Sequence, residues 1–590
     1  MSSAPIRLPH QLVGAALMFG TLAATTGAQT LRWGFTGPLD TLDPQRATSM
    51  FAQQYAGTLF DQLLTYDYLA RPVKMVPLAA TALPDVSPDG RDYTFRIRPG
   101  ILFAPHPAFH GKPRELVAED FAYSLKRLAD PALASPVWGL YQGAIEGLDA
   151  LAAAATAAKR RFDYDVPVSG IVVVDRYTLR IRLARVDRSF VYLFASPGLS
   201  ALPREVIEAE GDGFGLRPVG SGPYVVREYQ PNARLVLERN PAYRMLKVRD
   251  VAPGPASDAA LAAAISELPY PASSRVELTF VPEPTTARLA VERGELDVVR
   301  ISRPEVVFKG AAADPALTKS SVRLVRGSEG SSDFLVFGMR DPVIGGAGRE
   351  ATALRRAIAM AFDDREYIQV IEGGIGELRS QPVPPGIAGH LAGYRSRNAF
   401  DRASANALLD RTGFARGPDG RRRLPSGGEL KLTMIVGTSS TSRQFSEFMR
   451  RTLDAIGVRV EFDAMPGGER MKRILACRFQ LITMDWGLDT PDGSNIMLAF
   501  YSKAAGNVGL SCVEDAQFDA DYRRLLAAPL GEQRDPVYAA LRDRLDVLMP
   551  ARTIPTSDAI FAARANVRGL AVHPALYALF PYVSVSAAPP

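Results

Sequence analysis

Residues 218–244 constrain the fold of this chain more than any other stretch. Gly220 and Gly222 permit backbone angles that other residues avoid, which predicts a tight turn at this point. Residues 224–229 and 235–239 are two short runs rich in valine, leucine and tyrosine, separated by a polar stretch that contains a proline and an asparagine. The sequence therefore predicts a glycine-rich turn that leads directly into a β-hairpin.

The N-terminus has the order of a secretory signal peptide. Arg7 precedes an apolar run over residues 12–24, and the small residues around Ala28 form a cleavage site, so residues 1–28 are expected to be removed. The apolar run is shorter than the roughly 20 residues that span a bilayer, although an N-terminal anchor is the alternative. Because no cysteine lies near residue 28, no lipid attachment site is visible, and we expect a periplasmic location without a lipid anchor.

Composition and motifs exclude several classes of function. The chain has 69 basic and 63 acidic residues and a net charge of +6, without a dense basic tract interleaved with aromatic residues, so nucleic-acid binding is not expected. The patterns of serine hydrolases, zinc proteases and P-loop enzymes are absent from the sequence, so no catalytic residue is predicted. His106 and His110 are four residues apart, but they lie in a proline-containing loop, and no metal site or cofactor is predicted.

The chain contains two cysteines, Cys477 and Cys512. An exported protein enters an oxidising compartment, which favours pairing, and two cysteines allow one intramolecular bridge. Two separate buried thiols are the alternative.

Apolar periodicity predicts an α/β protein of several domains, because 590 residues are too many for one hydrophobic core. Residues 49–66 are predicted to form one amphipathic helix. A second helix is predicted over residues 443–456, with Ser442 as its N-cap. Residues 554–563 are predicted to form one strand that returns from the C-terminal half of the chain.

The predicted hairpin, PVGSGPYVVREYQPNARLVLERNPAYR, closely resembles the signature of the family 5 extracellular solute-binding proteins, the dipeptide- and oligopeptide-binding receptors of bacterial ABC importers. Shorter similarities, such as Leu42-Asp43-Pro44 before a helix and Gly294-Glu295 before a strand, extend over nearly all of the mature chain. The resemblance implies a two-lobed α/β periplasmic binding protein of the large, three-domain peptide-binding type. It would have mixed sheets, flanking helices and two hinge crossings between the lobes.

The resemblance also implies a division of the chain into domains. The expected units are the signal peptide (1–28), the core domain of the first lobe (29–70, 200–333 and 561–590), its accessory domain (71–199) and the second lobe (334–560). The hinge crossings would lie at residues 326–337 and 554–563.

The resemblance points to a binding site after the strand that ends at Trp486. In the family, a strand ending in W-x-x-D faces the cleft, and its aspartate, here Asp489, pairs with the free α-amino group of the bound peptide. Trp486, Gly487 and Leu488 would offer backbone groups to an extended peptide, and Thr48 and Met50 would line the opposite wall. Asp489 could instead be a turn residue, because Thr490-Pro491-Asp492-Gly493 is itself strong turn chemistry. Asp485 and Asp492 are weaker ligand candidates.

The function implied by the resemblance is capture of a peptide or peptide-like solute and its delivery to a membrane-embedded ABC permease. A monomer without a cofactor is expected. The sequence leaves two alternatives open, the same fold with another cargo (haem, nickel or an oligosaccharide) and an exported hydrolase. The chain departs from the common W-x-x-D-Y-x-x-P wording after Asp489, which leaves the details of amine recognition open.

Overall fold

The computed structural model describes residues 30–158, 161–255, 257–310, 312–506, 509, 511–576 and 578–586. The predicted signal peptide lies outside these residues. None of the helices in the described part of the chain is both long and apolar enough to cross a membrane.

The described secondary structure alternates between strands and helices. The strands are β1 (Thr30–Phe35), β2 (Leu64–Tyr66), β3 (Met75–Pro77), β4 (Asp85–Val86), β5 (Asp92–Arg96), β6 (Ile171–Asp175), β7 (Thr178–Arg182), β8 (Tyr224–Gln230), β9 (Arg234–Arg239), β10 (Leu246–Lys247), β11 (Pro269–Tyr270), β12 (Arg275–Phe280), β13 (Val298–Ile301), β14 (Phe308–Lys309), β15 (Ala312–Ala313), β16 (Val322–Gly327), β17 (Ser332–Phe337), β18 (Lys431–Val436), β19 (Arg459–Ala464), β20 (Leu481–Trp486), β21 (Ala551–Ile554), β22 (Ala559–Arg564), β23 (Val567–Arg568) and β24 (Ser584–Val585). The α-helices are α1 (Met50–Gly57), α2 (Ala118–Leu128), α3 (Leu148–Ala158), α4 (Arg204–Glu210), α5 (Val248–Val251), α6 (Ala259–Ile265), α7 (Pro284–Glu292), α8 (Pro315–Lys319), α9 (Arg349–Ala361), α10 (Asp364–Val370), α11 (Arg402–Arg411), α12 (Ser440–Asp454), α13 (Gly467–Leu475), α14 (Ser494–Leu498), α15 (Ala516–Ala527) and α16 (Asp535–Leu548).

The first lobe is built on a seven-stranded mixed sheet in the order β16-β22-β13-β1-β12-β9-β8. Strand β1 is parallel to β12 and β13, and the other pairings are antiparallel. A smaller antiparallel sheet, β4-β5-β7-β6, belongs to the same lobe. Tyr93 and Phe95 of the smaller sheet share one hydrophobic core with Trp33 of the larger one, so the two sheets are packed as one body.

The predicted hairpin is confirmed as β8 and β9, at one edge of the seven-stranded sheet. The reason for the glycines before it differs from the prediction, since neither Gly220 nor Gly222 has a left-handed φ. A Cβ at Gly220 would lie 1.9 Å from the carbonyl oxygen of Leu59, and one at Gly222 would lie 2.4 Å from the amide nitrogen of Phe60. These glycines allow two backbone segments to touch.

The second lobe is built on a five-stranded sheet in the order β19-β18-β20-β17-β21. Neighbouring residues of β17 point to opposite faces, so Leu335 and Phe337 enter one core while Phe334 and Val336 enter another. Because both faces are covered, β17 reads as a nearly continuous apolar run from Phe334 to Phe337.

The chain crosses between the two large sheets twice. Residues 328–331 join β16 to β17, and residues 555–558 join β21 to β22. The two-lobed fold with two crossings is confirmed. The prediction of a single return strand over residues 554–563 is wrong, because Pro555 cannot donate a ladder hydrogen bond and the strands on either side of it belong to different sheets.

Two further predictions of local structure are corrected. Helix α1 ends at Gly57, not at residue 66, and Leu64–Tyr66 forms β2, paired with β3. The N-cap of α12 is Ser439, whose Oγ accepts a hydrogen bond from the amide of Ser442 at 3.1 Å. The helix therefore starts one turn earlier than its apolar periodicity indicates.

Cys477 and Cys512 form a disulfide, with their Cα atoms 6.1 Å apart. Cys477 follows α13 and Cys512 precedes α15, so the bridge connects two segments of the second lobe. Of the two alternatives left open by the sequence, the structure has the bridge.

Candidate functional site

Asp489 lies three residues beyond the end of β20, with its side chain open to solvent. Its carboxylate accepts a hydrogen bond from the side-chain amide nitrogen, Nδ2, of Asn495 at 3.5 Å. The indole nitrogen of Trp486 donates to the amide oxygen of Asn495 at 2.9 Å, which fixes which end of the amide faces Asp489. Trp486 thus acts on Asp489 through Asn495.

The environment of Asp489 disfavours its charged form. Although solvent reaches the side chain, protein surrounds it on most sides, and this desolvation raises its pKa, against a smaller lowering by the hydrogen bond from Asn495. Among the described residues, no Lys, Arg or His forms an ion pair with Asp489. The site therefore presents a partly desolvated carboxylate without an ion pair among the described residues.

Tyrosines of the first lobe lie within electrostatic reach of Asp489. Burial raises the pKa of the Tyr66 and Tyr141 hydroxyls, and the negative charge of Asp489 raises both further. We call Tyr66 and Tyr141 the tyrosine wall. The Tyr66 hydroxyl donates to the carbonyl of Tyr192 at 3.3 Å, which connects this wall to the segment Arg188–Ala195. Sequence reasoning missed this wall, because it placed Tyr66 in a helix.

The first lobe touches residues of the second lobe that follow Asp489 in the chain. Ser189 of the first lobe and Ser494 of the second are joined by a hydrogen bond of 2.9 Å between their hydroxyls. The Nε of Arg188 donates to the carbonyl of Ala527 at 3.3 Å. Asp489 of the second lobe, within electrostatic reach of Tyr66 and Tyr141 of the first, therefore lies where the two lobes approach each other.

Asp492 is a structural residue. It is 1% exposed, and both of its oxygens lie 2.9 Å from Nη1 of Arg534. It also accepts hydrogen bonds from the Tyr538 hydroxyl at 2.7 Å and from the amide of Ser494 at 3.0 Å. The turn chemistry of this segment thus depends on Asp492, which leaves Asp489 without a structural ion pair.

Further acidic residues lie on and near the five-stranded sheet of the second lobe. Asp485 on β20 lies directly opposite Asp333 on β17, and both line a cavity of about 270 Å³ together with Glu372 and Arg470. Burial raises the pKa of Asp333 to about 6, with smaller contributions from the charges of Asp485 and Glu372. Like charges directly opposite one another in a sheet are unfavourable unless a cation joins them.

The other predicted site residues differ in exposure and in their hydrogen bonds. The backbone amides of Gly487 and Leu488 form no hydrogen bond with the described residues, and the Leu488 side chain is 3% exposed, next to Gly330 in a crossing. Thr48 is exposed, and its hydroxyl donates to Asp40 at 3.1 Å on its own lobe. Met50 is the first residue of α1, and its side chain lies outside what the structure describes.

Of the two loop histidines, His106 has structural partners for its ring. His106 is the N-cap of a short turn of helix, where its Nδ1 accepts from the amide of Ala108, and its Nε2 lies 3.3 Å from Glu210. In the described part of the chain, no group of three or more His, Cys, Asp or Glu side chains is arranged to hold a metal ion.

Comparison with known proteins gives consistent matches over most of the chain. Residues 74–508 match the bacterial extracellular solute-binding proteins, family 5 (middle region). The di/tripeptide-binding protein 2 of Pseudomonas aeruginosa is 25% identical over 536 residues, which is 86% of this chain and 88% of that protein. The dipeptide-binding protein of Escherichia coli is 21% identical over 583 residues, 95% of this chain and 96% of that protein.

The fold has solved counterparts. One is the ABC transporter-associated periplasmic binding protein DppA from Helicobacter pylori, in complex with the peptide STSA. It superposes with a TM-score of 0.69 at 20% identity and covers 94% of this chain and 98% of that structure.

Proposed function

Because the chain belongs to the bacterial extracellular solute-binding proteins of family 5, we propose that it captures a peptide between its two lobes and delivers it to a membrane-embedded ABC permease. The observation that carries this proposal is the partly desolvated carboxylate of Asp489, which has no ion pair with the described residues and lies where the two lobes approach each other. A peptide α-amino group is the cation that fits there, since a charge-assisted hydrogen bond is strong where water is excluded.

The peptide backbone would continue along the segment after β20. The free amides of Gly487 and Leu488 are donors that an extended peptide can use as an added strand. Thr48 and Met50 would contact the ligand from the opposite wall, together with the tyrosines near Asp489. A ligand that touches both lobes favours the conformation in which they are closest, with residues 328–331 and 555–558 as hinges.

The receptor would work in the periplasm as a monomer, after removal of residues 1–28 and without a lipid anchor. N-terminal sequencing of the exported protein should begin at Gln29, and a protein that retains Met1 would contradict this. The proposed domains are 29–70, 200–333 and 561–590 (core of the first lobe), 71–199 (its accessory part) and 334–560 (second lobe). Function needs no catalysis, because the ligand leaves unchanged.

A thermal-shift panel tests the proposal. The mature protein is heated with a pool of tripeptides with free N-termini, with the same pool N-acetylated, and with haemin. A ligand present at a concentration of 100 times its Kd stabilises the folded state by about 2.7 kcal/mol. The pool with free N-termini should therefore raise the Tm, whereas the acetylated pool and haemin should not. If haemin alone raises the Tm, the peptide proposal is wrong and the protein binds another cargo.

A further inference from the structure

A second cavity, of about 620 Å³, lies within the second lobe, apart from the site at Asp489. The first turn of α10, the end of α16 and strand β21 contribute to its walls. Thr553 of β21 lines this cavity, whereas the next residue, Ile554, lines the cavity that holds Asp333. None of the residues that line one of these cavities lines the other.

The second cavity contains a buried arginine without an acidic partner. Arg542 on α16 is 6% exposed, and its guanidinium lies 4.6 Å from the ring centre of Tyr394. Its hydrogen bond is a long one, 3.4 Å from Nη1 to Oε1 of Gln381, and its buried Nε has no partner among the described residues. No carboxylate of the described chain forms an ion pair with Arg542, although a buried charge is costly without one.

Arg379, which also lines this cavity, is a second buried arginine with an unpartnered nitrogen. It is 7% exposed and forms an ion pair with Glu377 at 3.0 Å through Nη2, but its buried Nε has no partner in the described structure. Arg365 and Arg395 also line the cavity, with exposed side chains that form no ion pair with the described residues. The lining therefore has more guanidinium donors than its own carboxylates use.

The aspartates of this cavity have partners, although the buried Oδ1 of Asp364 has none among the described residues. Asp546 accepts hydrogen bonds of 2.7 Å from the hydroxyls of Tyr394 and Ser396. Asp364 lies 2.7 Å from Nη2 of Arg552. Five arginines and three aspartates line the cavity, so its charge is positive overall.

We propose that this cavity is a second binding site, separate from the peptide site, and that it takes a small organic carboxylate. A guanidinium presents parallel N–H donors that match the two oxygens of a carboxylate. The volume is that of a small-molecule site, and Leu378, Phe400 and Leu545 give it apolar walls that fit an organic body rather than a bare ion.

Citrate and succinate, with chloride and inorganic phosphate at matched ionic strength, test this on the mature protein by thermal shift and calorimetry. Citrate or succinate should raise the Tm of the parent, with 1:1 binding, and chloride and phosphate should not. Arg542→Met should weaken that binding at least tenfold. Because it removes a buried charge without an acidic partner, it should not lower the Tm measured without carboxylate.

The controls separate this site from the peptide site and from a structural role. Arg523→Met, on α15, removes an exposed arginine without an ion pair in the described structure and should bind citrate like the parent. Arg542→Lys keeps the positive charge but lacks the forked donors of arginine, so it should also bind citrate at least tenfold more weakly than the parent. This variant tests the proposal if Arg542→Met fails to fold. Binding of the tripeptide pool should be unchanged in both Arg542 variants. No shift with either carboxylate, a shift that persists in Arg542→Met, or loss of peptide binding in the folded Arg542 variants would overturn the proposal.

Discussion

Replacing Asp489 by Asn tests the amine site with the smallest change of shape. The parent carboxylate has a neutral partner, Asn495 at 3.5 Å, and no ion pair with the described residues. Without the carboxylate, a bound ammonium is left buried and unpaired, which costs about 2–5 kcal/mol. That range corresponds to binding weaker by roughly 30-fold to 5,000-fold.

The same substitution should not weaken the fold. Desolvation raises the pKa of Asp489 in the folded state, so the folded protein holds its proton to a higher pH than the unfolded chain does. Above that pH the charged group opposes folding, and a neutral amide removes this opposition. The Asp489→Asn variant should therefore have a Tm at neutral pH that is equal to or slightly above that of the parent.

Calorimetry with a tripeptide pool, free or N-acetylated, completes a cycle with the parent and the Asn variant. The free pool should bind the parent and lose affinity in the variant, whereas the acetylated pool should bind both weakly. Asp492→Asn is the comparison variant, in which the same substitution is made at a structural aspartate. It leaves Arg534 buried and unpaired, so it should lower the unfolding free energy by about 3–5 kcal/mol, whereas Asp489→Asn should not lower it. Equal binding of free and acetylated peptides by the parent would refute the role of Asp489.

Two further predictions concern the second lobe. Replacing both Cys477 and Cys512 by Ser opens a loop with a sequence separation of 35, so the unfolded chain gains conformational entropy. Chemical denaturation should therefore show an unfolding free energy about 4 kcal/mol lower than that of the parent. An unchanged unfolding free energy would contradict this loop-closure argument. The pKa of Asp333 is raised to about 6, so the folded state binds the extra proton and stability should rise as the pH falls from 7 towards 4. Asp333→Asn should stabilise the protein at pH 7 by about 1–3 kcal/mol and flatten this dependence, and a variant less stable than the parent at pH 7 would contradict the sign.

The sequence predicts features whose signal is local. The β8–β9 hairpin follows from two apolar runs and a polar turn, and the position of Asp489 after a strand follows from the resemblance of its segment to the family pattern. Other features depend on segments far apart in the chain. The closeness of Gly222 to Phe60 and the tyrosine wall opposite Asp489 arise when the sheets pack, so no local pattern shows them.

Helix boundaries show the same limit. Apolar spacing continues from α1 into β2, because the strand also buries Leu64 and Tyr66, and periodicity alone does not separate the two elements. The cavity at Arg542 and Arg379 likewise depends on two residues that the fold brings to one place.

Native mass spectrometry after incubation with a peptide library tests the central claim most directly. The mature protein is mixed with free di- and tripeptides, separated from unbound material and measured first intact and then after denaturation. We predict a 1:1 complex that releases a peptide of unchanged mass and that is lost in Asp489→Asn but retained in Arg523→Met. A parent protein that retains no peptide, or that releases cleaved products, would contradict the account.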